Sequence, residues 1–125
     1  MAQKQTVAVL GASNKPDRYS NKALRMLVEY GHEVIPVHPA IHAIEGIPTV
    51  SDLSAIGQSV DTLTLYVGPA RSEPIVDSMI ALKPSRVIMN PGTESDSVEQ
   101  KLTEAGIPVI KACTMVLLRT EQFSN

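Results

Sequence analysis

Short apolar runs alternate with stretches whose apolar residues recur every three or four positions, and this rhythm continues along the whole chain. It reads as strand, helix, strand, helix. The first run, Val7 to Leu10, stops at Gly11-Ala12-Ser13-Asn14-Lys15-Pro16 and is followed by a helical pattern from Ser20 to Tyr30. That pattern places Ala23, Leu24, Leu27 and Val28 on one face, and Gly31 stands where a left-handed helix terminus needs it. Further strands are expected at Glu33 to Val37, from about Asp61 through Leu63, Leu65 and Val67, at Arg86 to Met89, and at Pro108 to Ala112. Helices are expected at Ser72 to Leu82, with Ile75, Val76, Met79 and Ile80 inward, and at Glu94 to Ala105 before Gly106.

Alternating strands and helices require parallel strands joined by right-handed crossovers, because only those bury both faces of a sheet. The expected fold is α/β, a three-layer Rossmann-like domain with a parallel sheet of about five strands. The strand order expected is 3-2-1-4-5, with the flavodoxin-like order 2-1-3-4-5 as its rival. Nothing along residues 1–125 marks a linker or repeat, so one domain is expected.

In open sheets of this kind a ligand lies beyond the carboxyl ends of the strands, at the point where strand order reverses, here between strands one and four. The loops collected there are Gly11 to Arg18, Val37 to His42, Val67 to Arg71 and Asn90 to Thr93. All four are rich in glycine, proline and small or polar residues. Strand termination explains any one of them, but four together suggest a loop cluster approached by ligand. The start of the first helix adds unpartnered N–H groups and the positive end of the helix dipole, which favour an anion. Lys15 and Arg18 oppose that dipole unless an anion is present, and Arg71 repeats the argument more weakly, since it has Glu73 and Asp77 for partners. That misplacement favours phosphate binding, with solvated surface as the alternative account of Lys15 or Arg18 taken alone.

The anion is not simply NAD or ATP. A dinucleotide fingerprint needs glycines where this loop has Ser13 and Pro16, and an acidic residue where the second strand ends in Val37-His38-Pro39. The triphosphate-binding pattern Gly-x4-Gly-Lys-Ser/Thr is absent. A phosphorylated ribose would instead want a cation or donor, which His38, His42, Lys15 or Arg18 can supply, and NADP and coenzyme A both meet that requirement.

Composition narrows the field further. The formal charge is −2 with no run of Lys or Arg, and aromatic residues make up 3% of the chain, so neither a nucleic-acid footprint nor a set of stacking platforms is present. No nucleic-acid or membrane partner is expected. No apolar run nears the ~20 residues that span a bilayer. The beginning Met1-Ala2-Gln3-Lys4-Gln5 has no apolar core of a signal peptide, and a single cysteine excludes an internal disulfide; a cytoplasmic protein is expected.

The loop Gly11-Ala12-Ser13-Asn14-Lys15-Pro16, the segment Tyr30 to Pro39, Gly46, the turn Asn90-Pro91-Gly92-Thr93, and Ala105-Gly106-Ile107 followed by Cys113 together resemble the small stand-alone coenzyme A-binding domain proteins. These are similar to the N-terminal domain of the succinyl-coenzyme A synthetase alpha subunit. The resemblance runs from about Val7 to Phe123 and implies coenzyme A or an acyl-CoA as cofactor. It implies that Gly11, Ala12 and Ser13 approach the phosphates with Lys15 and Arg18 beside them, and that Val37, His38 and Pro39 line the nucleotide side. Val67-Gly68-Pro69 and Asn90-Pro91-Gly92 would bracket the adenine and pantetheine portions. Many relatives carry Asn-Pro-Lys where this chain has His38-Pro39-Ala40, and the synthetase's phosphohistidine and nucleotide domains have no counterpart, so ligase activity is not carried over.

A metal site at His32, His38, His42 and Cys113 is not expected, since Pro39 interrupts the spacing and no fourth ligand is placed. His32 is expected to end the first helix, where positive charge is favourable. Cys113 reads first as a small packing residue before Thr114 to Leu118, and second as a thiol contact for pantetheine. Ser13 is not in a nucleophile elbow and no histidine has an evident orienting acid, so catalysis by this chain alone is not expected. The expected function is a non-catalytic carrier, sensor or partner-recruiting module for coenzyme A. Its rivals are an NADP-binding oxidoreductase-like protein and an interaction domain with a vestigial pocket, whose edge strand and tail 114–125 would serve a homodimer or a protein partner.

Overall fold

A computed structural model describes residues 3–124; Met1, Ala2 and Asn125, at the ends of the expected domain 1–125 and of the expected contact tail, lie outside the described residues. The strands of the main sheet are β1 (Thr6–Leu10), β2 (Glu33–Val37), β5 (Thr62–Leu65), β6 (Arg86–Met89) and β7 (Val109–Lys111), all parallel. Two short strands, β3 (Ala43–Ile44) and β4 (Ile47–Pro48), form a separate hairpin. The helices are α1 (Tyr19–Glu29), α2 (Pro69–Ser72), α3 (Val76–Leu82), α4 (Asp96–Glu104) and α5 (Thr114–Arg119).

The alternation along β1 builds two cores. Ala8 and Leu10 pack with Leu63, Leu65, Val87 and Met89 against Met79 of α3 and Leu102 of α4. Val7 and Val9 face the other way, with Val34 and Ile88, against Leu24 and Leu27 of α1 and Leu118 of α5. A central parallel strand is apolar on both faces for this reason, and Val7, Ala8 and Val9 are fully buried. The fold is thus the expected three-layer Rossmann-like α/β architecture with five parallel strands.

The order within the sheet is β2-β1-β5-β6-β7, which in chain order of the five strands is 2-1-3-4-5. The third strand lies beside β1, not outside β2 as the order 3-2-1-4-5 required. The outer edge of β2 is already occupied: Val50 donates its N–H to the Pro36 carbonyl and accepts from the His38 N–H, each at 3.0 Å. The β3–β4 hairpin, turned by Glu45 and Gly46 at φ of 51° and 77°, delivers Val50 to that edge. Strand order therefore reverses between β1 and β5, and the crevice lies there.

Smaller differences have local causes. Val28 is 47% exposed because the buried stripe of α1 is centred on Ala23, Leu24 and Leu27. The expected helix at 72–82 is broken into α2, a 3-10 turn at Glu73–Ile75 and α3, since Pro74 has no N–H to continue the ladder. The expected helix at 94–105 begins two residues later, at Asp96, because the Ser95 hydroxyl accepts from the Val98 N–H and caps it. His32 is not a charged helix terminus: it is buried, and its Nδ1 accepts from the Gln5 N–H at 3.0 Å. Among the described residues no helix is long and apolar enough to cross a membrane.

Candidate cofactor-binding site

A cavity of about 790 Å³ opens at the carboxyl ends of β1, β2 and β5. Its floor begins at Gly11, where φ is 86° and a Cβ would stand 2.7 Å from Val67 Cγ1 and 2.8 Å from the Tyr66 carbonyl oxygen. Only glycine lets β1 end this close to β5 and turn away toward α1. The loop that follows is tied down by α1 itself. Asn21, fully buried, donates to the Ser13 carbonyl at 2.9 Å, and Arg25 donates to the Pro16 carbonyl at 2.9 Å and to Asn21 Oδ1 at 2.8 Å.

This clamp leaves the start of α1 open. Arg18 is the N-cap residue and makes no side-chain cap, and the first turn holds no acidic residue. The N–H groups of Tyr19, Ser20 and Asn21 donate to no carbonyl or side chain among the described residues. Unclaimed amides at a helix N-terminus are donors for an anion.

Gly11, Ala12, Ser13, Lys15 and Arg18 all line the cavity, as do Val37, His38 and Pro39 from the end of β2. Arg71 reaches it from α2, and Pro91 and Gly92 from the turn after β6. Among the described residues, Lys15, Arg18 and Arg71 form no ion pair; the recorded pair is Lys111 with Glu99 at 3.0 Å. Glu73, which sequence spacing offered to Arg71, accepts instead from the Ser95 and Ser97 hydroxyls. Exposed cations without partners around a cleft raise the potential inside it and favour an anionic occupant.

Val67, Gly68, Pro69, Asn90 and Cys113 do not line the cavity. Val67 is buried against Gly11, and the Gly68 carbonyl accepts from Arg71 and Ser72 so that Pro69 can start α2. That turn presents Arg71 and does not itself form a wall. Asn90 is buried, with its amide group hydrogen-bonded to Thr64, Leu65 and Thr114. It supports the turn that brings Pro91 and Gly92 to the cavity. Cys113 is half-buried at the N-cap of α5.

Other wall residues escaped sequence reasoning. Tyr66, to which sequence reasoning gave no role, lines the cavity while its hydroxyl is buried. The neighbouring Thr64 and Thr114 hydroxyls bond each other at 2.8 Å, and no described residue completes a hydrogen bond to Tyr66 Oη. Burial holds this phenol well above the usual ionisation range. Asp52 enters from the stretch after β4, where its carboxylate accepts from the Ser54 N–H at 2.9 Å and from the Ser54 hydroxyl. Those bonds, the hydroxyl first, keep its pKa below the ordinary value, so it stays ionised. The Asp-x-Ser spacing was the available signal for that cap. His38 Nδ1 accepts from the Ala40 and Ile41 N–H groups at 2.9 and 3.1 Å, so in this geometry the ring has its Nε2 side left to offer a donor.

Comparison with known proteins identifies the family of the chain. Residues 5–119 match the family model described as CoA binding domain. The Bacillus subtilis (strain 168) protein YneT is 26% identical over 110 residues, covering 88% of this chain and 82% of YneT. A crystal structure of an uncharacterized protein shares 36% identity and superimposes with a TM-score of 0.91, over 97% of this chain and 99% of its own. The dinucleotide-forming acetyl-coenzyme A synthetase 1 of Ca. Korarchaeum cryptofilum, solved with phosphate and ADP, has a TM-score of 0.74 at 20% identity over 86% of this chain and 25% of its own, a likeness of fold. With the family matched over nearly its whole length and the sheet, glycine turn and cavity in place, this chain belongs to the CoA-binding domain family.

Proposed function

We propose that this protein binds coenzyme A or an acyl-CoA in the cavity between β1 and β5, acting as a non-catalytic cytoplasmic carrier, sensor or partner-recruiting module. One observation supports this most directly: Lys15, Arg18 and Arg71, all without ion-pair partners among the described residues, share a single cavity with the unclaimed amides of α1. A chain of formal charge −2 that leaves three cations unpaired around one cleft has a use for a polyanion. The residues fit the cofactor. The α1 amides, Lys15 and Arg18 would hold phosphate oxygens, Arg71 would meet a further phosphate, and the His38 Nε2–H would donate to a ribose or its phosphate. Leu10, Val37 and Tyr66 would supply wall for the uncharged arm.

The non-catalytic reading rests on where the polar groups are engaged. The Ser13 hydroxyl accepts from the Lys15 N–H at 3.1 Å, and His38 Nδ1 closes its own turn. These bonds shape loops and form no nucleophile–base pair.

The test is thermal unfolding with coenzyme A, acetyl-CoA, NADP and NAD, followed by native mass spectrometry of freshly purified protein. A ligand at one hundred times its dissociation constant stabilises by ~2.7 kcal/mol. Stabilisation by coenzyme A or its thioester, with less from either dinucleotide, is the expected result. Stabilisation by NADP alone would transfer the site to an oxidoreductase-like reading, and none with any of the four would leave an interaction domain.

A further inference from the structure

The chain is poor in aromatic residues, with three tyrosines, one phenylalanine and no tryptophan, yet two of the tyrosines line the same cavity. They are placed very differently. Tyr66 packs its ring against the core on the α1 side and buries its hydroxyl. Tyr19, in the first turn of α1, is 70% exposed, more than any other large apolar or aromatic residue recorded as exposed. Keeping most of an aromatic ring in water forgoes burial that such side chains ordinarily contribute to a core.

The surroundings of Tyr19 give that exposure a direction. Lys22 Nζ stands over the ring, 5.5 Å from its centroid, which orients the ring and leaves it flanked by a cation. Arg18 precedes it in the chain, and Lys15 lines the same cavity. A simple inorganic anion would be served by the cations and amides alone and would have no use for the ring. A ligand with a planar heteroaromatic group joined to phosphates would use all of these together, because base–aromatic stacking and charge pairing act on different parts of the same molecule.

We propose that Tyr19 is the base-stacking residue of this cavity, holding the adenine ring of the nucleotide at the mouth while Lys15, Arg18 and the α1 amides hold its phosphates. This rests on the coenzyme A reading above and assigns one end of that ligand to one residue. It separates recognition of the nucleotide from recognition of the pantetheine arm.

Three probes distinguish the two ends: coenzyme A, adenosine 3′,5′-bisphosphate, which keeps the base, and 4′-phosphopantetheine, which lacks it. Their dissociation constants would be measured by calorimetry on the full chain and on Tyr19→Ala and Tyr19→Phe. Loss of one stacking contact is expected to weaken coenzyme A and adenosine 3′,5′-bisphosphate about 5- to 150-fold in Tyr19→Ala. Tyr19→Phe, which keeps the ring face, should stay within about twofold of the parent, and 4′-phosphopantetheine should be indifferent to both changes. Tyr19 is mostly exposed, so the unfolding temperature of the unliganded variants should match the parent. The assignment is overturned if Tyr19→Ala leaves coenzyme A binding unchanged, if it weakens all three probes alike, or if Tyr19→Phe is as defective as Tyr19→Ala. A parent protein that binds no coenzyme A would remove the underlying reading and this assignment with it, a result separable from a parent that binds and a variant that does not differ.

Discussion

The Asn90 side chain accepts a hydrogen bond from the Thr114 N–H at 2.9 Å, joining the end of β6 to the start of α5. The same side chain donates to Thr64 Oγ1 at 2.7 Å and to the Leu65 carbonyl at 2.8 Å, so one buried amide ties together three elements. Removing it leaves several buried groups without partners, and such losses cost about 1–3 kcal/mol or more. Asn90→Ala and Asn90→Asp should each lower stability by at least that amount in urea unfolding. The aspartate variant is informative because it can still accept from Thr114 but cannot donate to Leu65. Stability within experimental error of the parent for both would show that this amide is not a tie-point.

Charge reversal separates the cavity cations from the rest of the surface. Lys15→Glu and Arg71→Glu should each raise the dissociation constant for coenzyme A about tenfold or more, the worth of a charge-assisted hydrogen bond. Lys101→Glu changes net charge equally but sits on the exposed side of α4, away from the cavity, and should have a small effect. The contrast should shrink as salt rises, since exposed charges are screened. Equal effects at all three positions would mean that net charge alone drives binding.

Gly11→Ala tests the close approach of β1 to β5. The substituted residue would have to hold φ near 86° with its Cβ 2.7 Å from Val67 Cγ1. The backbone conformation alone costs a non-glycine residue about 1–3 kcal/mol, and the overlap adds to that. Gly57→Ala, where nothing lies within 4 Å of the added atom, is the matched control and should be nearly neutral. Urea midpoints of the two variants should differ clearly, and matching midpoints would contradict the close approach.

The His32 ring lies 5.0 Å from that of Phe123 at a 56° tilt, and the Arg86 guanidinium covers Phe123 at 4.6 Å. Burial first, and the Arg86 charge second, hold the His32 pKa below its ordinary value of 6.5. The unfolded chain therefore binds more protons than the folded one at mildly acidic pH, and stability falls as pH drops through 6.5 toward the lowered native value. Protonation would also place a hydrogen on Nδ1, which now accepts from the Gln5 N–H. Unfolding free energy should be greater at pH 7.5 than at pH 5.5, with the slope reduced in His32→Gln; a slope unchanged by the substitution would assign the pH dependence to other groups.

Local periodicity and turn chemistry were readable without the fold. The apolar runs around Val7, Val34, Leu63, Val87 and Val109 became the five parallel strands, most plainly at β1, where both faces are buried and successive positions are apolar. The Gly11 turn, the α1 stripe of Ala23, Leu24 and Leu27, and the cations at 15, 18 and 71 were likewise legible, since each depends on residues close in sequence. Tertiary structure alone decided which strand neighbours β1, because Val50, brought round by a hairpin of two-residue strands, fills the edge of β2. It also decided that Asn90 ties the scaffold together while Tyr66 and Asp52 form cavity wall. Those outcomes depend on contacts between residues far apart in the chain, and spacing along one strand or helix carries no information about which distant group will stand opposite it.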